Sequence, residues 1–218
     1  MIFIMIYWLF IAQICIILLK HTIMVTSKNI TKNLLSLLVM LILSTPQIYS
    51  QTYNLNNQDS KLTVSGTSSL HDWDIDAKQQ KGQIVLNFSN ELKIEKLTLE
   101  VTSESLKSGK GGMDKNAYKA LNTEKHKSII FQLTEVKEIK ASGNDNYKVE
   151  VTGNLTIAGV TKKQNISLDI LATSNKVTLK GKKAFKMTDY GIDPPKALLG
   201  TISTGDEVTI KFNTILNK

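Results

Sequence analysis

Between Tyr147 and Ile170 apolar and polar residues alternate in two successive runs. Tyr147, Val149 and Val151 face away from Lys148, Glu150 and Thr152, and Leu155 and Ile157 resume the pattern; after Ala158-Gly159, Ile166, Leu168 and Ile170 oppose Asn165, Ser167 and Asp169. A period of two sends successive side chains to opposite faces, so each run is a strand with one dry face, and the glycine between them makes an antiparallel hairpin. The same alternation recurs over residues 61–65, 70–77, 83–88, 94–102, 128–139, 175–187 and 207–216. Counted together they predict roughly eight to ten strands, an all-β domain with a closed or nearly closed sheet. The period changes over 109–121, GKGGMDKNAYKAL, where a glycine cluster precedes Met113, Ala117 and Leu121 at every fourth position. This predicts a glycine-hinged loop and one short helix packed on one end of the sheet. Asp189 to Pro195 stops any strand, because two prolines cannot donate to a ladder; residues 196–199 are expected to form a turn of helix.

An eight-stranded barrel is just wide enough to be filled by its own side chains or to hold one slender ligand. Strands of ten residues span roughly 30–35 Å, so the interior is long and narrow. Periodicity alone leaves both readings open. In one, Trp73, Phe88, Phe131 and the aliphatic residues meet across the axis; in the other they line a space for a long apolar chain.

The first fifty residues contain no acidic residue and carry two apolar runs, Met1 to Leu19 and Leu34 to Leu43. Read from Met24, Lys28 and Lys32 precede the second run, and Ser44-Thr45-Pro46 and Ser50 follow it, which is the layout of a secretory signal peptide cleaved after Ser50. Residues 24–50 are therefore read as a leader and 51–218 as one exported domain. Residues 1–23 are read either as sequence ahead of the true start at Met24 or as a membrane anchor, since about 20 apolar residues cross a bilayer. The only cysteine, Cys15, precedes the domain, so packing alone holds the fold. All 27 basic residues are lysine; beyond residue 50, 24 lysines face 19 acidic residues, a net charge of +5 spread along strands. Nucleic-acid readers cluster their basic residues and interleave arginine and aromatics, and this chain does not.

His71, Asp72, Asp74 and Asp76 form the densest titratable cluster. On a strand the three carboxylates share one face while His71, Trp73 and Ile75 share the other, so a solvated acidic face is expected and no metal site. His126 lies in a lysine-rich turn and is expected to face water. The glycines at 109, 111 and 112 lack the Lys-Ser/Thr that follows in a phosphate-binding loop.

Several ordered blocks resemble the YceI-like family of bacterial envelope proteins. Residues 153–162, GNLTIAGVTK, resemble its "G-x-Leu-Thr-Ile-x-Gly-Val-Thr-Lys" hairpin. Tyr53-Asn54-Leu55 with Ser60-Lys61-Leu62, Gly82-Gln83-Ile84 with Leu86 and Phe88, Met113-Asp114 with Tyr118 and Leu121, Thr188 to Ile192, and Gly205 to Ile210 resemble further blocks in the same order across 53–216. Met187 stands where the family has arginine, and no proline precedes Ile129. The resemblance implies an extended antiparallel lipocalin-like β-barrel of eight or slightly more strands, holding an isoprenoid lipid or quinone tail. Its tunnel would be lined by Trp73, Ile75, Ile84, Leu86, Phe88, Leu97, Leu99, Val101, Ile129, Phe131, Leu133, Val149, Val151, Leu155, Ile166 and Leu168, with Met113, Tyr118 and Leu121 closing one end. The expected function is non-catalytic lipid carriage or sequestration in the periplasm, with membrane contact for lipid exchange and no required cofactor. The alternative is an envelope interaction module with a packed interior.

Overall fold

The computed structural model describes residues 50–88, 91–197 and 200–218; the apolar run at 1–23 and the leader up to residue 49 lie outside them. Alternation becomes strand in nearly all of these runs. In chain order the strands are β1 (Ser50–Leu55), β2 (Lys61–Ser68), β3 (Trp73–Ala77), β4 (Gln80–Asn87), β5 (Lys93–Thr102) and β6 (Leu106–Lys107). After helix α1 (Gly111–Leu121) follow β7 (Ser128–Gly143), β8 (Asn146–Ile157), β9 (Val160–Ala172), β10 (Lys176–Lys186), β11 (Lys196–Ala197) and β12 (Ile202–Asn217). All pairings are antiparallel. The order β1-β4-β5-β7-β8-β9-β10-β12 closes on itself through Asn54–Asn217 and Leu55–Leu216, making an eight-stranded barrel.

The hairpin read from the sequence is β8–β9, and its turn residues Ala158 and Gly159 have φ of 49° and 80°. Positive φ at both central positions matches the right-handed twist of the flanking strands. Asn144 and Asp145 (φ 51° and 60°) repeat the device between β7 and β8.

Three strand segments form that the period does not predict, β1, β6 and β11, and three barrel strands are each broken once: β1 from β2, β3 from β4, and β5 from β6. The breaks lie side by side and hold one another. Asn57 donates to the Lys78 carbonyl (3.0 Å) and accepts from the Gln80 amide (2.6 Å). The Lys78 amide donates to the Ser105 carbonyl (3.0 Å), the Gln79 amide to Ser105 Oγ (3.1 Å), and the Thr102 amide to the Gln79 carbonyl (3.1 Å). Backbone groups released from the ladder thus find partners, as buried ones must. This belt divides the barrel. Toward one end the wall contains β1, β4 and the start of β5; toward the other it contains β2, β3, β6 and α1, which we call the helix end.

Four local expectations are corrected. Residues 70–72 are turn, not strand, because Ser68 Oγ accepts from the amides of Leu70 (3.3 Å) and His71 (3.2 Å) and curls the chain before β3. Gly111 and Gly112 lie in the first turn of α1 and form no hinge; of that cluster Gly109 alone has positive φ, 79°. The helix ends at Asn122, whose left-handed φ of 49° turns its amide back to the carbonyls of Lys119 and Tyr118. Residues 196–197 are extended, not helical: Pro194-Pro195 hold the chain open and β11 pairs with Ser203 and Ile202 of β12, while residues 198 and 199 lie outside the described residues. Lastly, β12 starts at Ile202, five residues ahead of the alternating run, across an irregularity between Thr204 and Val208.

Candidate functional site

Away from the helix end, the interior is solid. Tyr53, Ile84, Leu86, Val149, Val151 and Leu216 are each no more than 1% exposed. The Tyr53 hydroxyl donates to Gln51 Oε1 (2.7 Å) and lies 3.2 Å from the Thr173 carbonyl, so this buried polar atom is satisfied. Burial pushes its phenol above the ordinary value.

Above the belt of breaks the barrel is hollow. A cavity of about 730 Å³ is walled by inward residues of β2 (Leu62, Val64), β3 (Trp73, Ile75), β5 (Leu97, Leu99, Val101), β7 (Ile129, Phe131) and β8 (Leu155, Ile157). The wall continues through β9 (Ile166, Leu168), β10 (Leu179, Phe185) and β12 (Val208, Ile210, Phe212). Helix α1 covers one side with Met113, Ala117, Ala120 and Leu121, while Met113, Ala117 and Leu121 also pack against the small cluster of Ile75, Ala77, Val101 and Leu106. Polar side chains line the helix end, among them Ser68, His71, Lys110, Lys115, Asn116, Lys196 and Thr204.

Three glycines explain how aromatic rings share this wall. A Cβ on Gly66 would lie 2.2 Å from the Trp73 ring, one on Gly153 2.2 Å from Phe131, and one on Gly181 2.6 Å from Phe212. Each ring therefore lies over bare backbone instead of projecting across the lumen. Trp73 is fixed further by its Nε1 donating to the Thr67 carbonyl at 2.9 Å. Phe185 meets Tyr190 edge-on, centroids 5.2 Å apart. Tyr190 in turn accepts from Gln164 Nε2 at 3.0 Å, and burial raises its phenol above the ordinary value while that bond pulls the other way.

The nineteen residues read as tunnel lining divide between two environments. Trp73, Ile75, Leu97, Leu99, Val101 and Met113 lie on the cavity wall, as do Leu121, Ile129, Phe131, Leu155, Ile166 and Leu168. Ile84, Leu86, Val149 and Val151 lie in the packed region, and Phe88 and Leu133 pack against that core from positions outside the cavity. Tyr118 is also off the wall: its hydroxyl reaches the carbonyls of Glu104 (2.8 Å) and Leu106 (2.9 Å), tying α1 to β6. The reading omitted the contributions of β2, β10 and β12, although Val208, Ile210 and Phe212 alternate in the sequence. It also omitted Lys183, an inward position of β10 filled by a charge.

Of the acidic cluster only Asp74 and Asp76 share a strand face, because His71 and Asp72 lie in the turn ahead of β3. His71 lies at the cavity rim with Nδ1 2.7 Å from the Asp72 carbonyl, whereas Asp76 accepts from Thr63 Oγ1 (2.8 Å) and Lys78 Nζ (3.0 Å) away from the cavity. The Lys78 and Thr63 bonds hold the Asp76 carboxyl below its ordinary value. His126 does not simply face water. It is half-buried, its ring seated on the β8–β9 turn where a Cβ on Gly159 would lie 2.4 Å from Cε1.

A model of the YceI-like domain matches residues 53–216. This chain belongs to the YceI-like family. Among curated proteins none is similar to this sequence at a significant level. Among solved structures the YceI-like barrel is similar to BcnA of Burkholderia cenocepacia, at 16% identity and a TM-score of 0.61, over 74% of this chain and 98% of that one. It is equally similar in fold to a polyisoprenoid binding domain from Saccharophagus degradans implicated in plant cell wall breakdown, at 13% identity and a TM-score of 0.61, over 76% of this chain and 97% of that one. Of the departures from the family pattern, Met187 in place of arginine is buried on the cavity wall. Among the described residues no helix is long and apolar enough to cross a membrane.

Proposed function

We propose that this protein binds a long apolar chain of isoprenoid type in the hollow part of its barrel, as an exported carrier or sequestering protein that does no chemistry on its ligand. The cavity carries this reading. At 730 Å³ it lies within the range of small-molecule sites, about 300–1,000 Å³. Filling it with water at ~30 Å³ per molecule would take about two dozen waters, each needing two to four polar partners, and the aliphatic wall supplies almost none. An apolar chain meets the same wall at a gain of about 25 cal/mol per Å² of apolar surface removed from water. The Saccharophagus relative is a polyisoprenoid binding domain, which supports a ligand of that class. Among the described residues the titratable side chains on the wall are His71 and lysines, and His71 lies at the rim with its Nδ1 engaged by the Asp72 carbonyl, which supports binding over catalysis.

Export rests on the leader read at 24–50, and exchange with a membrane on the need of so apolar a ligand for a donor surface. Protein purified from the cell envelope without detergent, extracted into organic solvent and analysed by mass spectrometry, should release one class of prenyl lipid near one equivalent. Protein that carries no lipid, and whose melting temperature added prenyl lipid does not move, would instead be an interaction module.

A further inference from the structure

Lys183 is the anomaly of the cavity wall. It belongs to the inward series of β10, Val177, Leu179, Gly181, Lys183 and Phe185, whose alternate positions Lys180, Lys182, Ala184 and Lys186 are exposed. It pairs with Ile210 of β12, beyond which Val64 of β2 and Ile75 of β3 continue the same row, so its neighbours along the wall are aliphatic. The strand ends three residues later at Lys186, placing the Lys183 backbone about 10 Å inside the strand's end at ~3.3 Å per residue. Among the described residues the Lys183 side chain has no hydrogen-bond or ion-pair partner. No aspartate or glutamate lines the cavity among the described residues either, while Lys110, Lys115 and Lys196 join Lys183 there.

Lys183 is half-buried, and a charge drawn part-way into an apolar wall loses hydration that an opposite charge would replace. A barrel built only to hold a neutral chain has no use for a lysine at this register. We propose that Lys183 receives the anionic head of the ligand, so that the cavity selects a single apolar chain ending in a phosphate or carboxylate over the same chain ending in a neutral group. This rests on the apolar-chain reading above and adds the chemistry of the head. The chain occupies the aliphatic wall; the head pairs with Lys183 part-way down, where lower dielectric strengthens the attraction and salt screens it less than at the rim. The lysines at the rim contribute attraction during entry.

The test compares three probes with one chain: farnesyl phosphate, farnesoic acid and farnesol, titrated calorimetrically into purified protein stripped of bound lipid. The anionic probe should bind tighter than farnesol by about tenfold to a hundredfold, the range for hydrogen bonds to charged groups, and high salt should preserve most of that margin. Lys183→Met, which keeps the stem and removes the charge, should abolish the margin while farnesol binds at least as well as before; this also shows that the variant is folded. Lys183→Arg should restore it, and the triple change of Lys110, Lys115 and Lys196 to Gln should leave it. Whether the phosphate or the carboxylate binds tighter assigns the head between those two sources. Equal binding of anionic and neutral probes, or a margin that survives in Lys183→Met, overturns the assignment of Lys183 alone. Failure of all three probes to bind overturns the apolar-chain reading itself, and the assignment with it.

Discussion

The packed and hollow parts of this barrel are built from the same strands with the same alternation, and they differ in what the inward side chains meet. On β8, Val149 and Val151 are 1% exposed against Ile84, Leu86 and Leu216 in one core cluster, whereas Leu155 on the same strand faces the cavity. The belt of breaks through 56–60, 78–79 and 103–105 marks the change. On one side of it strands close directly on strands; on the other β6 is the last strand of its edge, and α1 completes the enclosure with the small and flexible side chains of Ala117, Ala120 and Met113. Helix α1 covers that edge with two large side chains, Met113 and Leu121, and two alanines, fewer large inward residues than a full strand would carry. Hollowness follows from that substitution of helix for strand.

The sharpest way to break the comparison is truncation in each part. Leu86→Ala opens a cavity in packed core and should cost about 2–5 kcal/mol, whereas Leu99→Ala merely enlarges an existing space and should cost less than about 2 kcal/mol. Urea denaturation of lipid-free protein measures both, and equal costs would mean that the helix end collapses onto itself. Enlargement should reverse the asymmetry. Val151→Trp overpacks a filled layer and should cost about 1–3 kcal/mol, while Leu99→Trp should fold normally and lose its lipid, read by mass spectrometry of the extract. Retention of lipid by Leu99→Trp would move the ligand away from β5.

A smaller effect is expected at α1. Gly111 and Gly112 have no neighbour within 4 Å of an added Cβ and no positive φ, so Ala at each should stabilise by about 0.4–1 kcal/mol through the unfolded chain. If α1 must loosen for lipid to pass, the double variant should also release a prenyl probe more slowly in stopped-flow exchange with vesicles; unchanged rates would place the entry route elsewhere on the rim. The smallest effect concerns pH. Thr188 donates its hydroxyl and amide to Asp206 at 2.7 and 2.9 Å, holding that carboxyl below its ordinary value and pinning the turn that carries Met187. A folded pKa below the unfolded one stabilises above the unfolded value, near ~4, and that stability is lost as pH falls through the depressed folded value. Asp206→Asn should therefore flatten the acid limb of the urea midpoint between pH 5 and 2 and change little at pH 7. An unchanged acid limb would assign acid sensitivity to other carboxylates.

Much of this was legible along the chain. The turn of the β8–β9 hairpin and the extent of β8 emerged almost to the residue, since alternation and an Ala-Gly turn are local facts with local causes, while β9 begins at Val160, ahead of its alternating run; the period of four found α1. That β3 and β4, which read as two strands, are halves of one barrel strand was not legible, nor were the breaks that set off β1 and β6. Asn57, Ser60 and Ser105 hold the breaks through partners in other strands, and nothing in the sequence around them distinguishes a bond across the barrel from an ordinary polar loop. The β2, β10 and β12 walls escaped the lining list for a different reason: barrel closure, not periodicity, brings them opposite β5 and β7.

The sequence by itself determined most of the inward positions, because side-chain direction follows position parity wherever no bulge interrupts the strand, and it determined that one short helix would interrupt an otherwise all-β chain; the bulges in β4–β5 and β7–β8 shift that phase. Val149, Val151 and Leu155 are indistinguishable at that level. Whether an inward side chain meets a neighbour, an empty lumen or, as at Lys183, a space awaiting a charge depends on distances across the barrel. Those distances are set by strand closure, by the belt of breaks and by where α1 lies. They exist only once residues far apart in the chain have been brought together, and the tertiary structure alone decided them.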